Sequence, residues 1–114
     1  MTTIYHNPRC SKSRQTLQLL QERGIEPEVV LYLDTPPDAK TLAAIVEKLG
    51  ITPRQLLRKG EDEYKEANLA DPSLSDQQLI DAMVAHPRLI ERPIVLHGDK
   101  AALGRPPENV LAIL

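Results

Sequence analysis

Phenylalanine and tryptophan are absent from this chain of 114 residues, and tyrosine occurs only three times. The core must therefore be built from leucine, isoleucine, valine and alanine. Stacking platforms for nucleobases, which need aromatic rings, have little to draw on. Basic excess is also missing: 14 lysines and arginines face 16 acidic residues, for a net charge of −2. That balance argues against a nucleic-acid-binding surface. No apolar run approaches the roughly 20 residues of a membrane span. Met1-Thr2-Thr3 leads directly into the first apolar run, which leaves no room for a signal peptide. Cysteine occurs once, so no internal disulfide can form. With nothing pointing to export, the expected location is the cytoplasm. Repeats, low-complexity tracts and linkers are lacking too, and one domain over residues 1–114 is expected.

What is present is concentrated in one stretch, His6-Asn7-Pro8-Arg9-Cys10-Ser11-Lys12-Ser13-Arg14. It follows Ile4 and Tyr5 and leads into a helical pattern on Thr16, Leu17 and Leu20, so it reads as strand, tight loop and helix start. Asn7-Pro8 marks a turn, because proline pushes the residue before it out of the helical region. Cys10 then falls at or next to the helix N-cap, where the first amides, those of Ser11, Lys12 and Ser13, have no intrahelical partner and can hold an oxyanion. The helix dipole alone is not enough. At roughly 0.3–1 kcal/mol, or ~2 when partly buried, it moves a thiol from about 8.5 to roughly 7.5. Reactive cysteines go lower only with cations or a histidine nearby. Arg9, Lys12, Arg14 and His6 all lie within four residues of the sulfur. A lone cysteine is by default a small buried hydrophobe, but charged and hydroxyl neighbours on both sides favour a reactive, partly exposed thiol.

The rest of the chain reads in order. The first helix runs to about Arg23, and Gly24-Ile25 has the form of a left-handed stop with an apolar follower. Glu28 to Leu33 is almost continuously apolar and predicts a strand covered on both faces, completing a βαβ unit. Leu42, Ile45, Val46 and Leu49 define a second helix that Gly50 closes. Thr52-Pro53-Arg54-Gln55 and Ser75-Asp76-Gln77-Gln78 are capping boxes, opening a short helix and a longer one on Leu79, Ile80, Met83 and Val84. Glu61 to Glu66 reads as a solvated helical turn. Ile94-Val95-Leu96 and Ala101-Ala102-Leu103 flank Gly98-Asp99, a hairpin signal. A last helix turns Val110, Leu111 and Leu114 inward. The order βαβ, helical insert, ββα predicts an α/β fold: a thioredoxin-like mixed four-stranded sheet with an enlarged helical middle.

Two nucleophile templates fail at Cys10. A disulfide oxidoreductase needs C-x-x-C, and the second position is Ser13; a phosphate-loop phosphatase needs arginine six residues on, and that residue is Thr16. A single low-pKa thiol beside an anion site remains, and any adduct on it must be resolved by an outside thiol. Arg92 and Arg105 are the best-placed anion binders, because each precedes a proline at an element boundary. His6 is either a base near the sulfur or a satisfied strand-end histidine. Arg58 has no comparable local argument.

The stretch Tyr5 to Arg14 resembles the signature of the glutaredoxin-coupled, ArsC-type arsenate reductases. The likeness continues through Tyr32-Leu33-Asp34-Thr35-Pro36-Pro37, Leu56-Leu57-Arg58-Lys59, Glu91-Arg92-Pro93-Ile94-Val95 and Gly104-Arg105-Pro106-Pro107. With its end at Leu114 and Ser11-Lys12 after the cysteine, the chain is similar to the short chromosomal, YfgD-like branch. The resemblance implies that Cys10 is the nucleophile, that His6 assists it, and that Arg58, Arg92 and Arg105 bind the oxyanion. Pro93 matches the cis-proline of thioredoxin-like folds. It implies a monomer with no bound cofactor or metal, glutathione as co-substrate and glutaredoxin as partner. Two alternatives stay open: a reductase of the same fold acting on another oxyanion or on glutathionylated substrates, and a non-enzymatic Spx-like regulator that binds RNA polymerase.

Overall fold

The computed structural model describes residues 1–114, which form two compact units. One comprises Met1–Thr35 with Arg92–Leu114, the other Pro36–Glu91.

The first unit holds strands β1 (Thr2–Tyr5), β2 (Glu28–Val30), β3 (Ile94–His97) and β4 (Lys100–Leu103), helix α1 (Ser11–Glu22) and a 3₁₀ helix over Pro107–Ile113. The sheet order is β2-β1-β3-β4. β1 runs parallel to β2 and antiparallel to β3, and β3 runs antiparallel to β4, so Ile4 stands beside both Val29 and Val95. Ile4, Leu20, Val95 and Val110 form the fully buried centre, with Leu17, Ile25, Ala102 and Ile113 packed around it. Burying each such aliphatic side chain contributes about 1.5–3 kcal/mol, and no aromatic ring is needed there.

Helix α1 ends as its sequence requires. Gly24 adopts φ +76°, its N–H meets the Gln21 carbonyl, and the Ile25 N–H reaches back to Leu20 at 3.0 Å. This is a Schellman motif, with Ile25 as its apolar follower. A second glycine acts by size alone. A Cβ on Gly104 would overlap the Thr16 hydroxyl and stand 2.7 Å from Pro93 Cγ, so α1, β3 and β4 can approach one another only with a hydrogen at that position.

Strand β2 differs from expectation. It spans three residues at the sheet edge, and it is not covered on both faces: Val29, Leu31 and Leu33 are 43, 40 and 39 % exposed. The chain leaves the sheet after Val30 in a turn where the Asp34 and Thr35 amides both bond the Leu31 carbonyl. The 3₁₀ helix also departs from the reading: Val110 is buried as expected, while Leu114 points outward.

The second unit is helical: α2 (Ala39–Leu49), α3 (Pro53–Leu56), α4 (Asp62–Glu66), α5 (Asp76–Ala85) and a 3₁₀ turn at Pro87–Leu89. Both capping boxes form, with the Thr52 and Ser75 hydroxyls accepting from the Gln55 and Gln78 amides. Leu42, Ile45, Leu56, Leu79, Met83 and Leu89 are fully buried. A bridge pairs Leu57 with Ile90, and the Arg58 N–H donates to the Leu89 carbonyl at 2.7 Å.

The strand directions decide where chemistry can occur. β1 and β2 end, β3 begins and β4 ends at the same edge of the sheet. The chain therefore brings to that edge the Cys10 loop after β1, Leu31–Asp34 after β2, Arg92 before β3 and Arg105 after β4. The mixed sheet with helices, in this order, is the thioredoxin-like α/β architecture with a helical insert.

Candidate active site

The loop between β1 and α1 is held by its own backbone. Asn7 Oδ1 accepts the Arg9 N–H at 3.0 Å, an Asx turn, and the Asn7 carbonyl accepts the Cys10 N–H at 3.0 Å. Arg14 braces the same loop through a 2.9 Å bond from Nη1 to the Pro8 carbonyl. Its guanidinium thus serves the loop as well as the local charge. Cys10 is the N-cap of α1, in extended conformation, and is half-buried.

The sulfur makes no capping hydrogen bond of its own, yet its surroundings favour the thiolate. Burial pushes the thiol up. The Ser13 amide, the Arg92 charge, the Lys12 amide and a side-chain hydrogen bond from Arg92 together outweigh burial and bring it below its ordinary value. A negative sulfur at a helix start with no acidic residue in the first turn also meets the positive end of the peptide dipoles. Ser11 and Lys12 are exposed at that helix start.

Ser13 turns its hydroxyl inward. Its Oγ lies 2.6 Å from His6 Nδ1 and accepts the Asn7 N–H at 3.0 Å, with Ser13 fully buried and His6 nearly so. Burial, assisted by the nearby Arg14 charge, lowers the His6 pKa, so the ring is neutral at neutral pH. Ser13 thus contributes its amide to the sulfur and its hydroxyl to the scaffold. Spacing cannot show that division of labour.

Arg92 and Arg105 come together as the sequence suggested. Arg105 Nη1 donates to the Arg92 carbonyl at 3.2 Å, and its own carbonyl accepts from Asn109. The Arg92–Pro93 and Arg105–Pro106 bonds are both cis, and Pro93 is buried with its carbonyl bonded to the Gly104 amide. Arg58 belongs to the helical unit, where Nη1 pairs with Glu61 at 2.6 Å. Glu61 also engages Arg88 at 3.2 Å. Sequence reasoning missed Glu61, because the Lys59-Gly60 turn separates it from Arg58 and no helical spacing links the two. No cluster of three or more His, Cys, Asp or Glu side chains is arranged to hold a metal ion.

The arrangement can do one thing well: present a thiolate, beside cations and the first-turn helix amides, to a small oxyanion. The chain is 62 % identical over 112 residues to the uncharacterized protein YfgD of Escherichia coli K12, covering 97 % of this chain and 94 % of that one. It is 55 % identical to a Neisseria meningitidis arsenate reductase, covering 97 % and 96 %. Among solved structures, an arsenate reductase from Vibrio cholerae superposes with a TM-score of 0.97 at 52 % identity, covering 99 % and 97 %. The model of the ArsC family matches residues 5–113, and the chain belongs to the ArsC family.

Proposed function

We propose that the protein reduces arsenate to arsenite through Cys10, with glutathione and glutaredoxin as reductants. The observation that carries the reading is the Cys10 sulfur, held toward its thiolate form by Arg92 and the first-turn amides, with Arg105 bonded to the backbone of Arg92. The names of the close relatives point to the same substrate.

The steps balance as follows. The Cys10 thiolate attacks As(V) and one oxygen leaves as water, forming a sulfur–arsenic bond. The glutathione thiol displaces a second oxygen as water and gives a mixed thiolate adduct. A glutaredoxin thiolate attacks the glutathione sulfur, and the electron pair of that sulfur–arsenic bond passes to arsenic. As(V) becomes As(III), and a glutathione–glutaredoxin disulfide is released. Water then replaces Cys10 and arsenite leaves. Arg92 and Arg105 hold the oxyanion while the amides of Ser11, Lys12 and Ser13 face it; Arg58 belongs to this set through the family resemblance alone. The protein acts in this reading as a cytoplasmic monomer with no bound cofactor, and none of its helices is long and apolar enough to cross a membrane.

Arsenite release measured with arsenate, glutathione and glutaredoxin tests the reading. Multiple turnovers that vanish in Cys10→Ser are expected. A reactive Cys10 without arsenate turnover would overturn the substrate and leave the nucleophile.

A further inference from the structure

The edge of the sheet that carries Cys10 has a second feature, which the oxyanion chemistry does not use. A cleft of about 300 Å³ opens between the loop His6–Arg9 and the turn Leu31–Asp34. That volume lies at the lower end for small-molecule sites. Since β2 and β3 pair with opposite sides of β1, the cleft flanks the Cys10 loop on the β2 side and Arg92 stands on the β3 side. An incoming thiol and a bound oxyanion would therefore not compete for one approach.

The lining is chemically mixed in a definite way. Leu31 and Leu33 present apolar surface that a solitary chain leaves in water. Arg9 and Asp34 supply one positive and one negative charge. Neither takes part in an ion pair. Both backbones are fixed, Arg9 through the Asx turn and Asp34 through its bond to the Leu31 carbonyl. A purely anionic ligand would meet Asp34 unfavourably, and an apolar one would leave both charges unanswered. A zwitterion answers both.

We propose that this cleft is the glutathione site and that it grips the γ-glutamyl end. The α-ammonium lies on Asp34, the α-carboxylate on Arg9, and the glutamyl stem on Leu31 and Leu33. The peptide thiol then leads toward the loop that ends in Cys10. This assignment rests on the glutathione-dependent reading above and adds to it the place where the co-substrate waits.

S-methylglutathione keeps every charge of glutathione but can form neither a disulfide nor an arsenic adduct, so it reports binding alone. Titrated into the ¹⁵N-labelled protein, it should shift the amides of His6, Asn7 and Arg9 and of residues 31–34 and leave those near Arg105 unmoved. Asp34→Asn and Arg9→Gln should each weaken it about fivefold, the scale of one exposed charge contact. N-acetylation removes the ligand's ammonium and should weaken binding to the parent by a similar factor. It should have no further effect in Asp34→Asn, which separates a direct contact from a general loss of structure. Shifts centred on Arg92 and Arg105, or none at millimolar ligand, would overturn the assignment. The two readings fail separately: arsenate turnover without these shifts sinks the site alone, and shifts without turnover sink the substrate alone.

Discussion

Ser13 serves two neighbours at once, its amide facing the Cys10 sulfur and its buried hydroxyl joining His6 to the Asn7 amide. Ser13→Ala keeps the first and removes the second. Leaving the buried His6 ring and the partly buried Asn7 amide without that partner should cost about 1–3 kcal/mol, seen as a lower urea midpoint with little change in thiol reactivity. The sulfur itself answers to Arg92. The rate of iodoacetamide alkylation against pH should show a midpoint below the free-thiol value of about 8.5, and Arg92→Gln should move it upward. His6 has the opposite consequence for stability on the acid side. Its folded-state pKa lies below its unfolded value, so the unfolded chain binds more protons as pH falls below about 6.5. Stability should decline through that window, and His6→Gln should make the acid-side slope of the unfolding free energy shallower.

At the scale of elements, much was legible because the signals were local. The Schellman stop at Gly24-Ile25, both capping boxes and the two-residue hairpin at Gly98-Asp99 are each decided within a few residues. The placing of β2 was not legible. A run such as Val29-Val30-Leu31 is equally apolar in a covered strand and at an exposed edge, and only the pairing partner decides. The loop cysteine and the two arginines before prolines were found from the chain itself, while Arg58 entered through resemblance. Its partner Glu61 and the cleft-lining Asp34 escaped, since charges in turns carry no periodic signal. Gly104 escaped too: its φ is unexceptional, and only the approach of Thr16 and Pro93 shows its use. Gly104→Ala should push α1 away from the β4 end and cost about 1–3 kcal/mol as overpacking, read by thermal unfolding, with a larger loss for Gly104→Val.

For the molecule as a whole, one cysteine means that no second thiol in the chain can relieve an adduct on the first. Incubation with arsenate alone should give at most one arsenic per chain by intact-mass measurement. Adding glutathione and glutaredoxin should clear the adduct and make product formation linear in time. A purely regulatory protein would show neither behaviour.

The sheet directions have one more consequence, a practical one. All four strand ends that carry chemistry share one edge, so the Gly98-Asp99 turn sits at the other end of β3, about 13 Å away at the usual rise per residue. Asp99 and Lys100 are exposed there. A surface tether or a fluorophore placed at that hairpin would leave Cys10 and its arginines facing solution, and would turn this small domain into an oriented electrode or sensor element without touching the groups that bind or react.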